Sequence, residues 1–425
     1  MYKTDLGVDN ADSANDEAPQ GALHGVRVLD MSRVLAGPVC GQTLADLGAE
    51  VIKVERPKVG DDSRAWGPPF ALDEAGAPTA ESAFYCSCNR GKRSITVDLG
   101  KPEGRALIRK LAAVSDVLLE NYKVGTLEKY GLDYAALSAI NPGLIYCSVT
   151  GFGQTGPYAA RPGYDTIVQA MGGLMSVTGQ KDDDPGGGPV RVGIAVTDFM
   201  TGLYATIAVQ AALAYRARTG LGQHIDLALL DVQISSLTNV AMNYLLSGEV
   251  PARRGNRLPT VYPSDAFRCK DGYVMIIIGN DGQFRKFCAA AGLDALATDP
   301  RFLSNELRLG NADLLAPEIS AALSQRTIAE WLAIFEQANV PCSPIKNIAE
   351  VFSDPHVQSR GARIDLQHPV TGRMPGIANP MRFSKSPVAY DRAPPTLGQH
   401  TREVLAEVLG MSAAQIAALV DAGAV

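Results

Sequence analysis

The stretch GPVRVGIAVTDFMTGLYATIAVQAALAY, Gly188 to Tyr215, carries one acid, Asp198, between a β-branched run and a long run of small residues. Two tasks suit a carboxylate there. As a helix cap, its oxygen accepts an orphan backbone N–H of the first turn, a contribution of about 1 kcal/mol. As a nucleophile it needs no base, because an exposed aspartate, with an ordinary pKa of about 3.9, is ionised at neutral pH. A helix start favours that anion by a further ~0.3–1 kcal/mol. Such a group can attack an activated acyl carbon and form an anhydride or ester, the first half of an acyl or CoA exchange. Position alone leaves both tasks open.

The elements around Asp198 read as an α/β chain. VRVLD (26–30), a helix near 39–47 and AEVIKVE (49–55) make a βαβ unit. PEGRALIRKLAAVSDVLLEN repeats it, with a helix at 102–113 and a strand at 116–119, and 141–149 is a third strand-like run. This alternation predicts a parallel, doubly wound sheet with ligands beyond the strands' carboxyl ends. Arg191–Val196 is expected as a strand and Asp198–Arg216 as a helix, with 222–231 alternating again. Downstream, 265–279 reads as a hairpin turning at Asp271–Gly272. Helical patterns follow near 282–292, 311–324 and 327–338, then a strand pair around HPVTGRM and a helix at 400–409. The expected division is a disordered leader (1–20), the first part of a Rossmann-like large domain (21–230), a linker with a smaller α+β domain (231–345), and a C-terminal segment (346–425) completing the large domain.

Composition narrows the function classes. The 425 residues carry a net charge of −6 and are 46% hydrophobic, enough for more than one core. Charges of both signs are interspersed, which argues against a nucleic-acid partner. Asp198, Thr201 and Gly202 interrupt the apolar run at 194–215, favouring a buried helix over a membrane span. The polar, acidic N-terminus lacks the apolar core of a signal peptide. Seven cysteines, odd in number and scattered, fit a reducing cytoplasm. Cys86 and Cys88 have no second pair at zinc spacing, so no metal site is expected. Glu55 invites a dinucleotide reading, but MSRVLAGPVCG replaces GxGxxG after the first strand. GxxxxGK[ST] and GxSxG are also absent.

Several stretches together resemble one family. LHGVRVLDMSRVLAGP (23–38), LADLGAEVIKVERP (44–57), NRGKRSITVDL (89–99), ENYKVGTLEKYGLDYAAL (120–137) and NPGLIYCSVTGFGQTGPYAARPGYD (141–165) are similar to class III CoA-transferases of the CaiB/BaiF type. RTGLGQHIDLALLD (218–231), the KDGY hairpin and PPTLGQHTREVL (394–405) extend the resemblance over residues 21–425. It implies a Rossmann-like large domain, a small domain and an interlocked homodimer. It also implies a catalytic aspartate in a strand-to-helix turn followed shortly by Gly, which here is Asp198 and not Asp165.

The same resemblance assigns further positions. Val34 and Leu35 lie in the loop bordering the carboxylate and CoA. Leu35 replaces a commonly polar residue, which leaves backbone N–H groups as oxyanion donors. Arg56 matches a contact to the CoA nucleotide; on its own terms it is a surface Arg. Val97 and Asn121 match CoA-pocket positions; otherwise they are a strand residue and a turn former. Lys129 stands where Arg is common, keeping a phosphate contact as a point charge. Tyr164 matches an aromatic beside the acyl site, with core packing as the plainer role, and Leu229 an apolar residue near the CoA sulfur. CoA and its thioesters are implied as substrates, with no tightly bound cofactor.

Racemases of this fold carry a His where this chain has Tyr164, a poor base at neutral pH because a tyrosine ordinarily titrates near ~10. A 2-methylacyl-CoA racemase and a non-catalytic CoA-binding paralogue are the alternatives to a transferase. SVTGFGQTGPY, GNDGQF and PPTLGQHT are most similar to members that pair succinyl-CoA with a dicarboxylic acceptor such as glutarate. A distal carboxylate calls for an Arg fork. Arg33, Arg90, Arg93, Arg253, Arg254 and Arg257 are the candidates.

Overall fold

The computed structural model describes residues 20–425, so the expected leader, apart from position 20, lies outside the described residues. The chain divides into two compact units. Among the described residues the first comprises 20–150, Phe199–Leu227 and Ile364–Val425; the second comprises Gly151–Asp198 and Ala228–Arg363. Residues 151–198, read from sequence with the large domain, thus group with the second unit.

The first unit is built on a six-stranded sheet. Its strands are β1 (Arg27–Asp30), β2 (Glu50–Glu55), β3 (Lys92–Thr96), β4 (Val117–Glu120), β5 (Ile145–Thr150) and β6 (His224–Ala228). The order is β3-β2-β1-β4-β5-β6. The pairs β3/β2, β2/β1, β1/β4 and β4/β5 are parallel. This is the doubly wound order with its switch point between β1 and β4, where ligands bind beyond the carboxyl ends. Central strands covered on both faces need apolar side chains, and Val28, Leu29, Val51, Ile52, Val117 and Leu118 are essentially inaccessible.

Helix α1 (Ala36–Asp46) is buried at every position. Its composition of Ala, Gly and Val permits this. A Cβ on Gly41 would lie 2.6 Å from Asp30 Oδ2, so only glycine lets the helix approach the end of β1. Helix α2 (Pro102–Ala113) starts on a proline, which suits the first turn, and buries Leu107, Ile108, Leu111 and Ala112 at helical spacing. The helix Thr401–Leu409 docks on β3: His400 N donates to Ser94 O at 2.9 Å, and Thr96 N donates to Thr401 Oγ1 at 3.1 Å.

The long helix Val196–Thr219 is long and apolar enough to cross a membrane by length and composition. Its positions 201, 205, 209 and 212 form a buried stripe at helical spacing, the pattern of a core helix. A Cβ on Gly202 would meet Ala36 O at 2.7 Å and Val39 Cβ at 2.8 Å, so close packing against α1 requires glycine there too.

In the second unit, β7 (Ser264–Arg268), β8 (Tyr273–Ile277) and β9 (Cys342–Pro344) form an antiparallel sheet. The first two are the hairpin expected from sequence. Helices Asp281–Ala291, Ala312–Leu323 and Ile328–Gln337 share its core through Phe284, Phe287, Leu315, Ile319, Trp331 and Phe335.

Candidate functional site

Asp198 stands in the first turn of the helix Val196–Thr219, and its cap comes from elsewhere. Asp165 opens the helix Asp165–Met171 and is buried. Its Oδ2 accepts from Thr197 N at 2.8 Å and Asp198 N at 3.1 Å. Its other oxygen accepts from Gln169 Nε2 at 2.6 Å. Asp165 therefore satisfies two of the orphan donors of the long helix, those of Thr197 and Asp198, and caps this turn in place of the Asp198 carboxylate.

The expected strand Arg191–Val196 does not form. Its backbone is tied by side chains instead of a ladder: Gln169 Oε1 accepts from Val192 N at 2.9 Å, and Gln169 Nε2 donates to Ile194 O at 3.3 Å. The β-branched run leads into the helix as a loop held by one buried glutamine, so Asp198 follows a loop and not a strand.

Asp198 is half-buried. Burial, and secondarily the Asp165 charge, push its pKa up to about 7. This corrects the expectation of a fully ionised carboxylate, which took Asp198 as exposed: near neutrality both protonation states are populated. Tyr164 occupies the position just before the helix Asp165–Met171, makes no side-chain capping bond, and is 63% exposed, not packed in the core. Leu229 is buried at the start of the helix Leu229–Ser236, and its neighbour Leu230 donates its N–H to Gly151 O at 3.1 Å. Tyr164, Asp198 and Leu229 all belong to the second unit.

The remaining candidates lie in the first unit, around a pocket of about 320 Å³ beyond the carboxyl ends of β1, β2 and β4. Arg33, Arg56, Val97, Tyr122, Thr126 and Tyr130 contribute to its wall. Arg56 is exposed and has no ion pair among the described residues, whereas Val97 is buried. Lys129 is exposed at the end of the short helix Thr126–Lys129, whose Thr126 lines the pocket. Asn121 staples the loop after β1: its Oδ1 accepts from Arg33 N at 2.8 Å, and its Nδ2 donates to Arg33 O at 2.7 Å. Val34 and Leu35 follow in the same loop, half-buried. The wall thus offers one cation unpaired among the described residues, Arg56, and an Arg33 that pairs with Asp62 and lies over the Tyr122 ring, and a guanidinium beside aromatic rings suits a phosphorylated nucleotide.

The arginines sort by partner. Arg90 is buried against Asp46, and Arg93 against Glu50, Glu403 and Glu407. Arg33 pairs with Asp62, Arg253 with Asp182, and Arg257 with Asp313. Arg254 is exposed and has no ion pair among the described residues.

Sequence reasoning passed over Asp165 as an eye-catching decoy. Its signal was the i,i+4 pairing with Gln169 on a short helix. It also passed over Lys53 and Asp61, although a lysine inside the apolar run EVIKVE needs a buried partner. No cluster of potential metal ligands occurs among the described residues.

Residues 23–401 match the profile of CoA-transferase family III. The chain is 49% identical over 386 residues to a succinate–glutarate CoA-transferase of Agrobacterium fabrum, covering 91% of this chain and 95% of that protein. It is 42% identical over 403 residues to the succinyl-CoA:glutarate CoA-transferase of Homo sapiens, covering 95% and 90%. A crystal structure of a CaiB/BaiF family protein from Brucella suis superposes with a TM-score of 0.84 at 48% identity, covering 92% of this chain and all of that one.

Proposed function

The chain belongs to CoA-transferase family III and is a CoA-transferase, and we propose that it moves CoA from succinyl-CoA to a dicarboxylic acid such as glutarate through covalent intermediates on Asp198. The names of its relatives support the donor and acceptor class. The single observation that carries the covalent role is the capping of the helix start by Asp165, which spares the Asp198 carboxylate for chemistry.

In this reading the Asp198 carboxylate attacks the thioester carbonyl carbon. The C–S bond breaks, CoA leaves as the thiolate, and a mixed anhydride of Asp198 and succinate remains. The thiolate attacks the aspartyl carbonyl and succinate departs, leaving an aspartyl-CoA thioester. The acceptor carboxylate attacks that thioester carbonyl, the C–S bond breaks, CoA leaves as the thiolate, and a new anhydride of Asp198 and the acceptor forms. CoA thiolate then attacks its acyl carbonyl, forming the product thioester and freeing Asp198. Each step exchanges bonds of similar energy, so alignment is the protein's main contribution, worth up to about 7–11 kcal/mol of a barrier. Leu35 is apolar, so backbone N–H groups stabilise the oxyanions. Arg56 and Lys129 hold CoA phosphates, Val97 and Asn121 shape the nucleotide pocket, Leu229 lies by the sulfur and Tyr164 by the acyl group.

The protein acts as an interlocked homodimer in this proposal. Large exposed apolar residues on its helices, Phe199, Ile207, Leu245 and Leu246 among them, support a buried subunit interface. The seven free cysteines support a reducing, cytoplasmic setting.

Trapping tests the assignment. Succinyl-CoA followed by hydroxylamine or borohydride should modify Asp198, read by peptide mass, and mixing succinyl-CoA with glutarate should yield succinate and glutaryl-CoA. Full exchange activity in Asp198→Asn would refute the covalent role.

A further inference from the structure

The loop Met31–Leu35 leaves β1 at the switch point of the sheet, and every turn of it is held. Met31 N donates to Leu119 O at 2.8 Å. Ser32 N donates to Asp30 Oδ1 at 3.0 Å, and Ser32 O accepts from Lys53 Nζ at 3.0 Å. Arg33 is stapled on both sides by Asn121. Val34 then takes a φ of 72°, in the left-handed region. A β-branched residue is a true outlier there, and such conformations persist only where surrounding structure imposes them.

What imposes this one is a buried ion pair. Asp61 accepts from Val34 N through both oxygens, at 3.2 and 3.3 Å. Oδ2 also accepts from Lys53 Nζ at 2.9 Å, and Oδ1 from Ser63 N at 2.9 Å and Ser63 Oγ at 2.7 Å. The side chains of Lys53 and Asp61 are both fully inaccessible. Burial opposes ionisation of Asp61, but Lys53 and the Ser63 donors outweigh it and hold the carboxyl well below its usual range. The same ammonium grips both the loop, at Ser32, and the carboxylate that grips Val34.

We infer that Asp61, anchored by Lys53, is a positioning residue that keeps Val34 left-handed and so sets the loop bordering the CoA site. The inference rests on the CoA-transferase reading for its functional consequence, but the clamp itself does not. An asparagine at this position would supply one acceptor in place of a charged pair and would turn an N–H₂ toward Lys53 or Val34 N. Val34 would then relax out of the left-handed region. Glycine adopts that region without a clamp, so Val34→Gly should make the loop indifferent to Asp61.

The test measures the effect of Asp61→Asn in two backgrounds, with Val34 intact and with Val34→Gly. Calorimetric titration with CoA should show a loss of at least about tenfold in affinity with Val34 intact and less than about threefold in the Val34→Gly background. Equal losses in both backgrounds, or none in either, would overturn the inference. Amide hydrogen exchange of residues 31–36, in the same four proteins without CoA, should accelerate on Asp61→Asn only with Val34 intact. This second readout separates two failures. A wild-type protein that does not bind CoA but shows coupled exchange contradicts the CoA reading and not the clamp. Uncoupled exchange with CoA binding unchanged contradicts the clamp alone. If Asp61→Asn does not fold, Asp61→Glu keeps the charge, displaces the carboxylate by a methylene, and is compared in the same two backgrounds with the same opposing outcomes.

Discussion

Asp198→Asn should abolish transfer and, at alkaline pH, make the protein more stable. The folded protein holds the Asp198 pKa at about 7 against an ordinary value of 3.8, chiefly by burial. That difference is roughly 3 units, or about 4 kcal/mol at ~1.36 kcal/mol per unit. The sign follows from proton counting. Between the two values the folded state binds the proton that the unfolded state has released, so stability falls as pH rises through this window. Below about pH 3 both states are protonated and the contribution vanishes; above about pH 8 it is complete. Asparagine does not titrate, so the variant escapes the loss. It forgoes only the ~0.3–1 kcal/mol that a helix start gives an anion. The variant should therefore exceed the parent by about 3 kcal/mol near pH 8, and the gap should close to under ~1 kcal/mol near pH 4. Urea unfolding suits the measurement, because Trp331 is buried in the core of the unit that contains Asp198. A variant no more stable than the parent near pH 8 would refute the burial argument.

The same raised pKa predicts that kcat/KM for succinyl-CoA rises with pH around an apparent pKa of about 7. Asp165→Asn, which removes the neighbouring like charge, should move that midpoint downward, and an unmoved midpoint would deny the coupling. Gly202→Ala places a Cβ 2.7 Å from Ala36 O and should cost about 1–3 kcal/mol by overpacking, read as a lower urea midpoint. Arg254 is exposed without an ion pair among the described residues. Arg254→Gln should raise KM for a dicarboxylate acceptor about tenfold and leave a monocarboxylate of similar length unaffected; equal effects on both would remove it as the reader of the distal carboxylate.

Much of the scaffold was legible because its cues are local. Pro102 with apolar residues at 107, 108 and 111 marks a helix at 102–113, and the structure forms Pro102–Ala113. The Asp271–Gly272 turn likewise announced its hairpin. Arg191–Val196 misled because β-branched residues signal a strand only where an edge is free to pair, and here Gln169, more than twenty positions earlier, takes the backbone groups. The strand Lys92–Thr96 was hidden by its charges. Lys92 is buried by bonds from Nζ to Asp30 Oδ2, Pro38 O and Asn89 Oδ1, and the first two partners lie 62 and 54 positions away, outside any local window. At the candidate site, Asp198 and Arg56 could be named from resemblance. The state of Asp198 could not, because a pKa depends on burial and on Asp165, 33 positions away.

Two acids at one helix start account for each other. Asp165 accepts hydrogen bonds from three N–H donors, and it takes over the capping that would otherwise have claimed Asp198. A carboxylate used as a cap is hydrogen-bonded and of low basicity. One excused from capping, half-buried and beside a like charge, is of high basicity, and its pKa near 7 lies well above the ~4.3 of an ordinary carboxylate. Nucleophilicity follows basicity within a class of nucleophiles, so under the proposed mechanism ionised Asp198 would outcompete a free dicarboxylate for a thioester carbonyl, beyond any advantage of position. In the proposed mechanism the same basicity also acts at the next step, the cleavage of the first anhydride. Of the two carboxylates that the proposed mixed anhydride joins, the substrate's would be the less basic and the better leaving group, so thiolate attack at the aspartyl carbonyl would expel the substrate acid and carry CoA onto the enzyme. Lowering the Asp198 pKa through Asp165→Asn should therefore slow formation of the aspartyl-CoA thioester in single turnovers above about pH 8, where ionisation no longer limits the parent. A variant as fast as the parent there would show that the raised basicity contributes nothing to the reaction.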